Sequence, residues 1–443
     1  MHSPAMAGGV PPDRAADHAL QRSLGVRSLA ASIVNVTIGG GIFRLPAVVA
    51  LGLAAAAPLA YLVCALAFGL LVLCYAEAGS RVSLTGGPYV YVGTVFGPFA
   101  GYLSGVLLYL LAIGAQAAIA SAFVGALNAL VPGAGDPIPR AIIIVSVFAF
   151  FVFVNTLGVK QGARLIEVVT FAKLVPLALF VLAGAFAIKG SNLAWPGMPA
   201  IGDLSRMSIV LVFAFSGVES ALVPSGEVRD PARTVPRALA LAMISVTVLY
   251  IVVQVVAQGV LGAELPRNAD APLAAAAARA LGPAGGLLLI VGAIVSMFGY
   301  LSGMMFAMPR TLFAFACDGT LPAIFAAVDP VRRVPVNAIL LHGVLVTALA
   351  LSGTFETLAI LSNISALLLY LMCSVAAFEL RRRNIRQGGI PFRVPGGAVI
   401  PWLSVAVILF LLSAAKADEL KAVAIALGIG AMLYLFRRKP LAA

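Results

Sequence analysis

Apolar residues run along this chain in long blocks. They show neither the alternation of a half-buried strand nor the three-to-four spacing of a surface helix. A helix needs about 20 apolar residues to cross a bilayer. Twelve blocks are candidate spans, at 28–50, 56–79, 98–131, 139–157, 164–188, 206–224, 237–261, 284–308, 337–353, 357–379, 399–415 and 419–436. The third is long enough to imply tilt, and the ninth and eleventh are short. Polar residues gather between the blocks and at the ends. Residues 1–27 are polar with Pro and Ala, lack a signal peptide's apolar stretch and cleavage site, and read as a cytoplasmic tail. Residues 437–443 read as a second one.

Composition strengthens this reading. Of 443 residues, 62% are hydrophobic and 10% charged; soluble domains average about 45–50% apolar and about 25% charged. The net charge of +12 does not indicate nucleic acid, because the basic residues sit at the ends of apolar blocks. With the N-terminus inside, the inner segments hold 20 Lys and Arg and the outer segments 7, while Arg44 and Lys173 fall within spans. That bias predicts a multi-pass protein of a bacterial-type cytoplasmic (inner) membrane with both termini cytoplasmic, and it supports an even helix count. Cys64, Cys74, Cys317 and Cys373 lie in or beside apolar blocks, with no zinc or disulfide spacing. No metal or cofactor is called for.

Two spans carry breaks. Thr37-Ile38-Gly39-Gly40-Gly41-Ile42-Phe43 puts three successive glycines about 13 residues beyond Arg27, near the bilayer midplane. Each glycine weakens a helix by about 1 kcal/mol. Phe213-Ala214-Phe215-Ser216-Gly217-Val218-Glu219-Ser220 places Gly217 midway between Arg206 and Arg229. The two spans run in opposite directions, five helices apart, which is the mark of an inverted-repeat transporter. Backbone freed at such breaks must find partners or line a cavity. Unpaired N–H groups after Gly41 suit a carboxylate and freed carbonyls suit an ammonium; a zwitterionic amino acid presents both. The bland reading is that the glycines form close-packing faces; the matched pair of breaks with Glu219 outweighs it.

Ionisable groups within a span cost about 2.5–3.5 kcal/mol on insertion scales and are functional candidates by default. Lys173 lies nine residues past Arg164, about 14 Å into the bilayer, a long reach for snorkelling. It is a candidate for gaining and losing a proton. Glu219 suits two roles, a cap on freed N–H groups or a proton site. Arg44 suits a gate, a substrate contact or a carboxylate pair. His342 reads as a packed helix-end histidine, and Glu77 and Glu379 as solvated groups at inner span ends.

Gly39-Gly40-Gly41-Ile42-Phe43 resembles the GSGIF-type first-helix motif of the amino acid–polyamine–organocation superfamily. Phe213 to Glu219 resembles its sixth-helix FxFxGxE pattern, and Gly226-Glu227 through Pro236-Arg237-Ala238 its GE-x-x-(N/D)P loop. Tyr75-Ala76-Glu77 with Thr85-Gly86-Gly87-Pro88-Tyr89, and Arg310 through Pro322, are similar to two further segments. The resemblance implies an all-α polytopic membrane protein of 12 transmembrane helices with a leucine-transporter-like 5+5 inverted repeat. The first repeat takes residues 28–188, the second 206–379, and two additional C-terminal helices 399–436.

The resemblance also implies a substrate site of Thr37, Ile38, Gly39, Gly40, Gly41, Ala115, Phe213, Ala214, Phe215 and Gly217. The carboxylate would meet the amides around Gly39, Gly40 and Gly41. The ammonium would meet carbonyls near Thr37, Ile38, Phe213 and Phe215. Phe213 falls where relatives place an aromatic gate, and Arg44 is a second gate candidate. Lys173 matches a fifth-helix lysine that replaces sodium, with Ser302 as its eighth-helix partner and Glu219 as a further proton-coupling candidate. Two departures stand out: Gly40 where many relatives have Ser, and Arg44 where the residue is usually apolar. The expectation is therefore secondary active transport of a small, neutral or apolar amino acid by alternating access, as proton symport. An exchanger (antiporter) is the alternative. A membrane-embedded enzyme is remote, since His2, His18 and His342 form no catalytic cluster; a sensor is the other remote reading. Substrate, protons and the lipid bilayer are the expected partners, nucleic acid is not, and the oligomeric state is left open.

Overall fold

The computed structural model describes residues 22–128, 130–195, 197–269, 271–352, 355–387, 389–413 and 417–435. Of residues 213, 355–361, 417–419 and 422 it describes the backbone alone. Most of the N-terminal tail and the tail at 437–443 lie outside the described residues.

The chain folds into α1 (Val26–Thr37), α2 (Leu45–Leu53), α3 (Ala57–Arg81), α4 (Pro88–Phe96), α5 (Pro98–Asn128) and α6 (Pro137–Thr156). These are followed by α7 (Val159–Gly184), α8 (Ile201–Phe215), α9 (Val218–Ala221), α10 (Pro231–Leu261), α11 (Pro272–Leu281) and α12 (Pro283–Ala307). The last are α13 (Pro309–Cys317), α14 (Val336–Ser352), α15 (Phe355–Arg382), α16 (Val399–Leu412) and α17 (Ala417–Leu435). Among the described residues there is no strand, only a parallel bridge between Leu24 and Val228. Among the described residues, seven helical segments are long and apolar enough to cross a membrane, and four shorter apolar helices accompany them. The protein is an all-helical, multi-pass membrane protein.

Proline explains many of the starts. Seven helices open on Pro, whose missing N–H costs nothing in a first turn. Three of these follow a glycine in positive φ: Gly87 (+53°), Gly97 (+87°) and Gly282 (+76°). The Gly-Pro pair thus ends one segment and opens the next. This cuts α4 from α5 and α11 from α12, where the apolar pattern alone shows only a loop.

The helix α1 lodges among α7, α10 and α12, and α9 lies against α1, α5 and α12. The long α5 packs on α15 and α4, while α16 and α17 pack on the outside of α15. The two segments expected as single spans, 28–50 and 206–224, are both interrupted: α1 gives way to α2, and α8 to α9.

At the Arg81 end of α3, Glu77 is buried rather than solvated, correcting the expectation above. Its carboxylate takes Arg81 (2.7 Å), Arg381 (2.8 Å) and the Val394 N–H (3.2 Å), fastening the segment after α15 to α3. Glu379 is mostly covered as well, and pairs with Arg382 (2.8 Å) and Arg383 (2.5 Å). Nearby in the chain's second half, Arg310 and Glu227 form a fully buried ion pair (3.1 Å), and the Glu227 carbonyl accepts from the Ser23 and Leu24 amides. A buried pair of this kind is costly to break, because the charge left behind has no partner.

Candidate binding site at two interrupted helices

The first interruption begins where α1 ends. Ile38 leaves helical geometry (φ −80°, ψ 78°), and the Gly39 N–H turns back to the Thr37 carbonyl at 2.9 Å. A single 3-10 turn, Gly41–Phe43, follows before Arg44 caps α2. The Asn35 carbonyl thereby loses the Gly39 N–H it would have held in a continuous helix. The Gly39 carbonyl likewise loses the Phe43 N–H, which bonds Gly40 instead (3.2 Å).

Side chains from three other helices replace the lost donors. Lys173 of α7, fully buried, donates to the carbonyls of Asn35 (2.6 Å) and Ile38 (2.5 Å). Ser296 of α12 shares its hydroxyl proton between the carbonyls of Ile38 (2.9 Å) and Gly39 (2.8 Å). Tyr250 of α10 reaches the Thr37 carbonyl (3.1 Å) and, across the gap, the Ala214 carbonyl (3.0 Å). A buried carbonyl left unpaired costs about 1–3 kcal/mol, so these donors keep the break open at low cost.

The second interruption is more compact. After α8, Ser216 is extended and Gly217 adopts φ +117°, a conformation that L side chains rarely take. A Cβ on Gly217 would also sit 2.9 Å from the Val36 carbonyl, so glycine is required there both for its backbone angle and for the approach of the two chains. The Gly217 N–H turns to the Glu219 carboxylate (3.0 and 3.2 Å), which also accepts from the Tyr370 hydroxyl (3.0 Å). The Phe213 carbonyl is the helical partner that N–H has left.

Between the interruptions lies a cavity of about 30 Å³, where one water needs about 10–15 Å³. Thr37, Gly39, Gly40 and Gly41 form one side of it. Ala214, Gly217 and Glu219 form the other, with Ala115 of α5 completing the wall. Ser220 of α9, the last residue of the break segment 213–220, also lines it, as does Tyr300 of α12, to which no motif pointed.

Other expected residues lie elsewhere. Ile38 does not line the cavity, and its carbonyl is taken twice. Phe215 packs its ring edge-on against Tyr250, with ring centroids 5.4 Å apart. Arg44 is exposed and lies off the cavity wall. For Phe213, the side chain lies outside the described residues. Ser302 is a correction: its hydroxyl donates to Gly299 of its own helix (2.8 Å), and Ser296 is the α12 hydroxyl that shares a carbonyl with Lys173. His342 is not at a helix end. It sits buried within α14, between Tyr109 (3.0 Å) and Gln116 (2.9 Å).

Ser296 had a legible signal. Gly292, Ser296, Gly299 and Gly303 recur at intervals of four, three and four residues, one face of α12. Added Cβ atoms on these glycines would strike Pro176 (2.8 Å), Asn35 (2.6 Å) and Val36 (2.7 Å), so that stripe is where α7 and α1 press closest. Ser302 lies off the stripe.

Three full-length relatives, all from Bacillus subtilis (strain 168), are similar to this chain. The methylthioribose transporter is 28% identical, over 95% of this chain and 94% of its own length. The branched-chain amino acid permease is 26% identical, over 89% and 88%. The serine/threonine exchanger is 28% identical, over 94% and 95%. The family model described as amino acid permease matches residues 24–427, a range that holds both interruptions and every helix around the cavity. The chain is a member of the amino acid permease family.

Proposed function

We propose that the protein is a secondary active transporter that moves a small neutral amino acid across a bacterial-type cytoplasmic membrane by alternating access. The observation that carries this reading is the cavity between two interrupted helices, where side chains from outside satisfy the freed carbonyls and leave the glycine backbone to line the space. The substrate carboxylate meets the amides of Gly40 and Gly41, since the Gly39 N–H already bonds the Thr37 carbonyl. The carbonyls of Thr37 and Ile38 already hold Tyr250, Lys173 and Ser296, so the ammonium falls to the Phe213 carbonyl that Gly217 has released.

In this reading the two halves of the chain, 28–188 and 206–379, form the leucine-transporter-like inverted repeat. Twelve helices span the membrane, and both termini are cytoplasmic. Lys173 couples transport to protons: its two carbonyl acceptors both belong to the first interruption, so its protonation state bears directly on how α1 is held. Small wall residues such as Ala115 and Ala214, and a guanidinium at Arg44 beyond the wall, favour a neutral side chain over a cationic one. Transport assays with arginine or a polyamine as the best substrate would overturn that choice.

The serine/threonine exchanger among the relatives favours a second reading, obligate exchange. Purified protein in liposomes separates the two. Proton symport predicts accumulation that follows an imposed proton gradient in empty liposomes. Uptake that ignores the gradient and requires internal amino acid establishes exchange instead.

A further inference from the structure

Two hydroxyls on the cavity wall have no partner among the described residues. Thr37 Oγ1, at the end of α1, and Ser220 Oγ, in α9, are both buried, and neither has a hydrogen-bond partner among the described residues. Both residues line the cavity, one from each interrupted helix. Two other serines of the wall differ: Ser216 donates to the Val212 carbonyl (2.9 Å) and Ser362 to the Leu111 carbonyl (2.9 Å).

Serine and threonine in helices ordinarily bond back to a carbonyl of their own turn. Thr170, Ser208 and Thr347 do so here, at 2.6, 2.7 and 2.6 Å. Thr37, Ser220, Ser32 and Thr311 do not, and of these four Thr37 and Ser220 line the cavity. A buried hydroxyl without a partner is unfavourable, and buried polar groups are nearly always satisfied by protein, water or ligand. Whatever fills this cavity therefore supplies their partner.

We infer that the substrate carries a hydroxyl on its side chain and that Thr37 and Ser220 recognise it, so that the preferred class is a small hydroxylated amino acid such as serine or threonine. This rests on the transport reading above and narrows it. The substrate's charged groups have their own partners there, the glycine amides and the Phe213 carbonyl, which leaves the two hydroxyls for the side chain. Ala115, Ile119 and Ala214 make part of the wall apolar, and Glu219, Ser216 and Ser362 on it already hold protein partners. Both hydroxyls donate as well as accept, so one substrate hydroxyl can accept from one and donate to the other.

Threonine and valine test this directly, because they share a shape and differ by the hydroxyl. Binding of L-threonine, L-valine, L-serine and L-alanine is measured by calorimetry on the purified full-length protein and on its Thr37→Val and Ser220→Ala variants. The expected result is threonine tighter than valine by about tenfold or more, and serine tighter than alanine likewise. Each variant then weakens threonine and leaves valine unchanged, so the preference shrinks. The ligand-free melting temperature stays at the wild-type value or rises, since neither hydroxyl bonds anything in the protein. Valine binding as well as threonine in the wild type overturns the inference. So does an equal loss of threonine and valine in the variants, which assigns the hydroxyls to the shared backbone groups or to a bridging water. Binding confined to apolar amino acids removes this inference alone, whereas no binding by any of the twenty amino acids removes the transport reading with it.

Discussion

The two interruptions touch where Gly217 meets Val36, and they are held in different ways. The first is held from outside, by Lys173, Tyr250 and Ser296 on three helices distant in sequence. The second is held largely from within, by a glycine in positive φ and a carboxylate two residues on, with Tyr370 as its long-range partner. A break that borrows its donors changes its energy whenever its neighbours move. A break that carries its own cap travels as a unit. On the proposed transport reading, sensitivity to conformation and to protons is expected at the first interruption, with the second as a fixed wall.

Five substitutions test that contrast, in descending order of expected effect. Lys173→Ala leaves the buried Asn35 carbonyl without a donor, at about 1–3 kcal/mol, while the Ile38 carbonyl keeps Ser296. Proton-driven accumulation in proteoliposomes falls to background; full accumulation in this variant ends the coupling role given to Lys173.

Gly217→Ala places a Cβ against the Val36 carbonyl in a backbone conformation costing about 1–3 kcal/mol. Uptake drops by about tenfold or more and the melting temperature falls. Wild-type values for both show that the two chains need not approach so closely.

Glu219→Gln preserves an acceptor for the Gly217 N–H and for Tyr370, so a local cap survives it. Gradient-driven uptake remains within several-fold of wild type, and complete loss of gradient dependence moves the proton site to Glu219. The smallest effect is a paired one. Ser296→Ala lowers stability by about 1 kcal/mol, and Ser302→Ala by less than about half of that. Equal melting shifts for the two contradict the assignment of Ser296 to the first interruption.

Much of the outline was legible because its causes are local. Long apolar blocks mark the helices, and three glycines in a row or one before Glu219 mark the breaks. The pieces that were missed have two causes. The helices α4, α11 and α13 each open on proline, two of them ending at a positive-φ glycine, and hydropathy reads such punctuation as loop. Tyr250 and Tyr370 act through contacts with residues more than 30 positions away, which leave no mark in the local pattern. The choice of Ser302 over Ser296 shows how register decides. Six residues along a helix is about 240° of rotation, enough to turn a hydroxyl from the neighbouring backbone to its own helix. Glu77 was misread for a similar reason: its place at a span end suggested solvent, but the chain after α15 folds back to cover it.

The most direct test asks whether the cavity between the interruptions is where an amino acid binds. Ala115 lines it from α5 and adds no hydrogen bond of its own side chain, so Ala115→Leu fills the space without touching either break. Amino acid binding is measured by calorimetry on the purified wild type and on this variant, with the ligand-free melting temperature as the control for folding. The expected result is saturable binding of a small neutral amino acid to the wild type and its loss in a variant that still melts cooperatively. Unchanged affinity in Ala115→Leu would place the binding site elsewhere and contradict the central claim.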